Sequence, residues 1–260
     1  MNGSDVMVLT GRHLLHFRRS PGRFIGIAMN PLVMLLAMGY LFRRSIVVPG
    51  SGDYVDFLMA GVAAQVGLAS VGPAAIGVSA DLREGIVDRF RTMPVAQASV
   101  LLGRTVADLL LSAVALLVVT TVGLMLGWRP HTGAWSVIVG FGLLLGFLYA
   151  MEWFGVVLGL LLREAETIDS IGALVLVLLS FLSSAFLSIQ GLPEWIRPIA
   201  AWNPVSVVVS ACRLLWGSPA APTPGLPGQY PLAAAWATVV LLLVVFVPLA
   251  SHLYRRAAER

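Results

Sequence analysis

The sequence predicts an all-α integral membrane protein of six transmembrane helices. Two observations carry the prediction. Charged residues make up only 12% of the 260 positions and hydrophobic residues 58%, whereas a soluble domain carries about 25% charged residues. The apolar residues are also gathered into runs of about 20, the length that crosses a bilayer's hydrocarbon core. Short polar breaks separate the runs.

Residues 1–20 carry Arg12, Arg18 and Arg19 but no apolar core, so no cleavable signal peptide is read there. Val6, Leu9, His13, Leu14 and Phe17 recur near helical spacing, which predicts an amphipathic helix over 5–20 lying in the membrane interface and ended by Ser20-Pro21. The expected spans follow at 22–42, 55–80, 99–127, 136–162, 169–189 and 232–252. Pro49-Gly50-Ser51-Gly52 divides the first two, a charged run at 81–98 the next two, and Trp128-Arg129-Pro130-His131 the third and fourth. Arg163-Glu164-Ala165-Glu166 precedes the fifth. Residues 190–231 form a long connection. Within it Glu194 to Ile199 and Val205 to Trp216 read as short helices, re-entrant or interfacial, and Pro219 to Pro231 as a loop. The whole chain reads as one transmembrane domain.

Arginine bias orients the chain. With both termini cytoplasmic, the inner side holds Arg12, Arg18, Arg19, Arg23, Arg83, Arg89, Arg91, Arg104, Arg163, Arg255, Arg256 and Arg260. The outer side holds Arg43, Arg44, Arg129, Arg197 and Arg213, a ratio of 12 to 5. Trp128, Trp135, Trp195, Trp202 and Trp216 fall on the outer side, where indoles sit at headgroup level or pack within loops.

The run Asp81-Leu82-Arg83-Glu84-Gly85-Ile86-Val87-Asp88-Arg89-Phe90-Arg91-Thr92-Met93-Pro94 is the longest charged segment in an otherwise apolar chain. Over 84–94, Ile86, Val87, Phe90, Met93 and Pro94 share one helical face, opposite Glu84, Asp88, Arg91 and Thr92. Gly85 separates this segment from the second span and Pro94 limits its far end. The pattern is a short amphipathic helix across the inner face, with a partner in the water that spacing alone does not name.

Composition excludes several functions. All 17 basic Lys+Arg positions are arginine. A P-loop needs a lysine at its phosphate end, so the chain does not hydrolyse ATP by that route. The single cysteine, Cys212, excludes an intrachain disulfide and a thiolate-rich metal site. His13, His16, His131 and His252 are scattered, with no haem or metal pattern. The +4 net charge sorts by membrane side, which does not indicate nucleic acid.

Polar residues inside the spans are the other candidates. Glu152 sits 11 residues before Arg163, about 16 Å along the fourth span. A carboxylate exposed to lipid there costs roughly 2.5–3.5 kcal/mol. It is therefore protonated, paired or in a wet cavity. Asp108 lies one turn beyond Arg104 on the same face of the third span, placed to pair with it. Glu152, Asp108, Arg104 and Gln65 are the candidates for a transport path or for polar contacts within the membrane.

The chain resembles the daunorubicin-resistance type of ABC exporter permease, within the type 2 exporter superfamily. Four blocks carry the resemblance, in order. The first is Pro21, Asn30-Pro31 and Gly39-Tyr40-Leu41-Phe42. The second is Gly52-Asp53-Tyr54-Val55 with Phe57-Leu58 and Gly61. The third is Asp81, Gly85 to Arg91, Pro94, and Gly103-Arg104 with Asp108. The fourth is Phe181 to Phe186, Leu192-Pro193, Trp195, and Asn203-Pro204 with Arg213. The chain departs from the pattern at Ala60 and Leu178, where many relatives carry proline nearby.

The resemblance implies a non-catalytic permease subunit of an exporter, in a bacterial cytoplasmic membrane, moving a drug, antibiotic, secondary metabolite or lipid. It implies a separate ABC ATPase subunit in two copies, holding the ATP and Mg, beneath a homodimer or heterodimer of permeases. The coupling segment would then present Asp81, Arg83, Glu84, Gly85, Asp88, Arg89, Phe90, Arg91 and Pro94 to that ATPase. Trp195, Asn203, Pro204 and Arg213 would form an outer gate. No cofactor is expected on the permease itself. A glycan or lipid-linked polysaccharide exporter shares the topology. An ATP-independent secondary transporter would favour internal repeats, and none is evident. A non-transporting scaffold would not need the patterned helix at 84–94.

Overall fold

A computed structural model of the chain describes residues 21–41, 53–83, 97–162, 164–220 and 223–258. Among these residues the regular structure is entirely helical. Helix α1 spans Pro21–Leu36 and widens into a π turn at Ala37–Leu41. Then come α2 (Tyr54–Arg83), α3 (Gln97–Met125), α4 (Ala134–Leu161) and α5 (Ala165–Phe181). A 3₁₀ turn at Ile189–Gly191 leads to α6 (Arg197–Trp202), α7 (Pro204–Trp216), α8 (Leu226–Gln229) and α9 (Pro231–Ala258). The expected interfacial helix at 5–20 and the amphipathic helix at 84–94 lie outside the described residues.

Among the described residues, four helices are long and apolar enough to cross a membrane: α2, α3, α4 and α9. Ile25–Leu41 and Pro204–Trp216 are shorter apolar helices.

Helix α2 is the axis of the bundle. It packs against α1, α3, α4, α5 and α7, and Val55 to Leu68 are buried on every face. A helix apolar all round belongs inside a membrane domain, surrounded by other helices. Close packing against α4 depends on small residues. A β-carbon at Gly155 would meet the Val71 carbonyl oxygen at 2.6 Å, and one at Gly159 the Ala75 oxygen at 2.3 Å. Without side chains there, the two backbones touch, as membrane helix pairs do at small residues. Pro73 inside α2 removes the bond that would reach the carbonyl of Ala69.

Among the described residues, two main apolar clusters fill the bundle, and a small third one joins Ile189, Ala200 and Ala201. The larger joins α1, α2, α3, α4, α7 and α9 through residues such as Leu58, Val62, Phe147, Val208 and Val239. The smaller gathers Val78, Leu101, Trp153, Val156, Val157, Ala250 and Tyr254 where α2 ends and α3 begins.

The fifth helix corrects the sequence reading. A span was expected over 169–189, but α5 stops at Phe181, followed by a turn at Leu182 and bends over 183–187. Ser183 gives the physical reason. Its Oγ donates to the Ser180 carbonyl at 2.6 Å and accepts from the Ala185 N–H at 3.1 Å. The hydroxyl thus replaces helical backbone bonds with local ones. At about 1.5 Å per residue the 17-residue α5 is roughly 26 Å long, short of a hydrocarbon core of about 30 Å. The short helix expected at Glu194 to Ile199 is also displaced, forming instead at Arg197–Trp202. Part of the loop expected at Pro219 to Pro231 folds into α8.

The tryptophans divide. Trp135, Trp195 and Trp202 are exposed, as headgroup-level indoles would be, but Trp128 and Trp216 are fully buried. Their rings meet edge to face at 5.1 Å and both lie against Phe141. These two are packing residues that fasten the α3–α4 turn to the end of α7.

Candidate functional site

Three groups of polar side chains are built into the bundle, at different levels along α2. The first lies where α2 meets the charged run. Arg104, near the start of α3, forms an ion pair with Asp81 in the last turn of α2. It also lies 3.7 Å from Asp108, one helical turn along α3. The Arg104 and Asp108 side chains are buried and that of Asp81 is about one-third exposed. Buried charges persist only when paired and hydrogen-bonded, and here the pairing bridges two helices. Asp81 was expected to face a partner in the water, yet it turns inward to α3. Arg83 is exposed at the end of α2. Glu84, Gly85, Asp88, Arg89, Phe90, Arg91 and Pro94 lie outside the described residues.

The second group is mid-bundle. Ser112 Oγ of α3 donates to Glu152 Oε1 of α4 at 2.8 Å, and both residues are buried. The carboxyl group is held between α3 and α4. Ser112 was missed from sequence, though a signal existed: Arg104, Asp108 and Ser112 recur at i, i+4 and i+8, one polar stripe on an apolar helix. On the other side of α2, Gln65 Nε2 donates to Asn30 Oδ1 of α1 at 3.2 Å. Gln65 is buried, whereas Asn30 is exposed on the outer surface of α1.

The third group surrounds the break after α5. Asn203 Nδ2 donates to the carbonyls of Leu179 at 3.0 Å and Leu182 at 2.8 Å. Its Oδ1 accepts from the Val205 N–H at 2.9 Å, capping α7. Pro204 occupies the first helical position, where its missing N–H costs nothing. Ser206 Oγ accepts from the Ser184 N–H at 2.9 Å. Arg213 Nη2 donates to the Ala185 carbonyl at 3.1 Å, and its Nε to the Phe57 carbonyl of α2 at 3.0 Å. The guanidinium lies over the Phe57 ring at 3.6 Å, a cation–π contact. The Ala185 carbonyl rests on Gly61, where a β-carbon would come within 2.1 Å of its oxygen. Non-helical backbone at membrane depth survives only where protein satisfies it, and Asn203, Ser206 and Arg213 do so. Trp195, expected with them, is exposed.

Two blocks that are far apart in sequence therefore converge. Phe57 and Gly61 come from the start of α2, and 181–186, Asn203 and Arg213 from the connection before α9. Among the described residues, no group of three or more His, Cys, Asp or Glu side chains is placed to hold a metal ion.

Comparisons with known proteins cover the same stretch of the chain. The family model described as ABC-2 type transporter matches residues 4–215. The chain is 30% identical over 244 residues to the daunorubicin resistance ABC transporter permease protein DrrB1 of Streptomyces coeruleorubidus, covering 94% of this chain and 83% of that one. It is 28% identical to the probable doxorubicin resistance ABC transporter permease protein DrrC of Mycobacterium tuberculosis, over 98% of this chain and 90% of the relative. The putative transport permease ycf38 of Cyanophora paradoxa is 25% identical over 82% of this chain and 74% of its own length.

Proposed function

Since the chain belongs to the ABC-2 type transporter family, we propose that it is the permease subunit of an ATP-driven exporter for hydrophobic or amphipathic drugs. The observation that carries this reading is similarity along nearly the whole chain to permeases named for daunorubicin and doxorubicin resistance. Those names supply the substrate class: a cationic, polycyclic amphiphile that partitions into the bilayer.

In this reading α1 to α5 and α9 are the six membrane-crossing elements, the fifth completed by the bent segment after Phe181. The termini are cytoplasmic and the membrane is the bacterial cytoplasmic membrane. Hydrolysis of ATP with Mg occurs on a separate ABC ATPase subunit, two copies serving two permeases. The segment 84–94 docks in a groove of that ATPase through Glu84, Asp88, Arg89, Phe90 and Arg91.

The pairing of Arg104 with Asp81 supports a specific mechanical role. The coupling segment leaves α2 and returns into α3. Arg104 ties those two ends together, so a push on the segment moves α2 and α3 as one unit. Helix α2 touches five other helices, and its displacement reaches the break after α5 through Phe57, Gly61 and Arg213. Asp81 and Arg104 are thus positioning residues behind the docking segment rather than docking residues. Asn203, Pro204 and Arg213 are the outer closure that this movement loosens.

The test is reconstitution. The permease is co-expressed with a candidate ABC ATPase subunit, and doxorubicin accumulation is followed in inverted membrane vesicles. ATP-dependent accumulation that needs both subunits supports the reading. Drug movement unaffected by removing the ATPase contradicts it.

A further inference from the structure

We propose that Arg213 and the hydroxyl groups around it form a site for a single anionic atom, a halide or one oxygen of a phosphate group. A pocket of about 10 Å³ opens beside the break after α5, lined by Phe57, Ser184, Ser188, Ser210, Arg213 and Thr223 among others. That volume is close to the minimum that holds one water-sized group.

The charge of the site is positive. Arg213 is 2% exposed, and among the described residues no carboxylate lies within ion-pair distance of it. Its described partners are neutral: two backbone carbonyls and the Phe57 ring. A buried guanidinium usually has an anion beside it, because dipoles alone compensate its lost hydration incompletely. Two carbonyls occupy two of its five N–H groups, which leaves donors for an incoming anion.

The hydroxyls supply the rest. Ser184 is 5% exposed and its Oγ has no hydrogen-bond partner, an unusual state for a buried polar atom. Ser188 Oγ accepts from the Gln190 N–H at 3.3 Å, so its own proton remains free to donate. Ser210 Oγ and Thr223 Oγ1 lie 3.5 Å apart, where one donates to the other and leaves one proton over. A wall of donors around a buried cation, with an unpartnered hydroxyl on the pocket, fits an acceptor-only ligand. The small volume restricts that ligand to one atom at a time.

Melting temperature tests this independently of transport. The full-length permease is purified in maltoside micelles, which carry no phosphate, and melted in sodium gluconate at fixed ionic strength. Gluconate is then replaced stepwise by chloride or bromide. In a second arm phosphatidylglycerol is added in gluconate alone. A saturable rise with halide assigns the site to a free anion, and a saturable rise with the lipid alone assigns it to a phosphate oxygen. In either case Ser184→Ala, which removes one small hydroxyl, is expected to weaken the apparent affinity about three- to tenfold. Arg213→Gln is expected to abolish the response. Neither arm raising the melting temperature overturns the proposal, and so does an equal rise in wild type and Ser184→Ala.

Discussion

Arg213 and Ala185 lie 28 residues apart in sequence, yet the guanidinium of one donates to the carbonyl of the other at 3.1 Å, inside a bundle of apolar helices. A second bond runs from the same side chain to Phe57 at 3.0 Å. One arginine therefore joins the bent segment after α5 to the central helix. Replacing it with leucine leaves the buried Ala185 carbonyl without a donor, costing about 1–3 kcal/mol, and removes a second bond from the helical Phe57 carbonyl. Arg213→Leu is expected to lower the melting temperature strongly. Arg213→Lys is expected to fall between, because an ammonium is a point donor that does not reproduce the fork. Thermal unfolding of the purified permease checks both.

Gly61 is the other half of that junction. A β-carbon there would overlap the Ala185 carbonyl, so Gly61→Ala is expected to reduce the folded yield or to destabilise by about 1–3 kcal/mol through overpacking. Gly142→Ala is the control. A β-carbon at Gly142 meets nothing within 4 Å, and there a neutral outcome is expected. Size-exclusion profiles of the two variants make the comparison.

Much of this arrangement was legible in the sequence. The positions of α2, α3, α4 and α9 follow from apolar runs of sufficient length, since a bilayer enforces helix over about 20 residues. The pairing of Arg104 with Asp108 follows from i, i+4 spacing. The end of α5 was not legible, because Leu182-Ser183-Ser184-Ala185-Phe186 continues an apolar run. The break depends on where the Ser183 hydroxyl points and on bonds from Asn203 and Arg213, more than 15 residues later. Asp81 makes an ion pair that was not legible for a related reason. Its position beside charged neighbours suggested water, while its partner sits across the coupling segment in α3. Burial of Trp128 and Trp216 likewise depends on a contact between two distant turns.

The Arg104 clamp separates stability from coupling. Arg104→Gln removes the charge that joins α2 to α3 while leaving length and hydrogen-bonding ability. Insertion and association with the ATPase are expected to persist, and drug-stimulated ATP hydrolysis to fall at least several-fold. Asp81→Asn is expected to give a similar loss, and the double variant little more than either alone, as residues acting in one interaction do. Additive losses would place the two residues in separate roles.

Glu152 is held by Ser112, and a structural role is the outcome expected of its variants. Glu152→Gln keeps an oxygen that accepts from Ser112, so export of a cationic drug is expected to remain within about twofold of wild type. Glu152→Leu leaves Ser112 without that acceptor and is expected to cost about 1–3 kcal/mol of stability. Selective loss of cationic over neutral substrates in the glutamine variant would instead place the carboxylate on the transport route.

The most direct measurement is co-purification of this permease with its candidate ABC ATPase subunit, followed by charge reversal of Glu84, Asp88 and Arg91 together. Association is expected in the wild type and lost in the triple variant, while the variant still inserts and melts like the wild type. An ATPase that stays bound after the reversal, or that never binds at all, contradicts a permease driven from another chain through this segment.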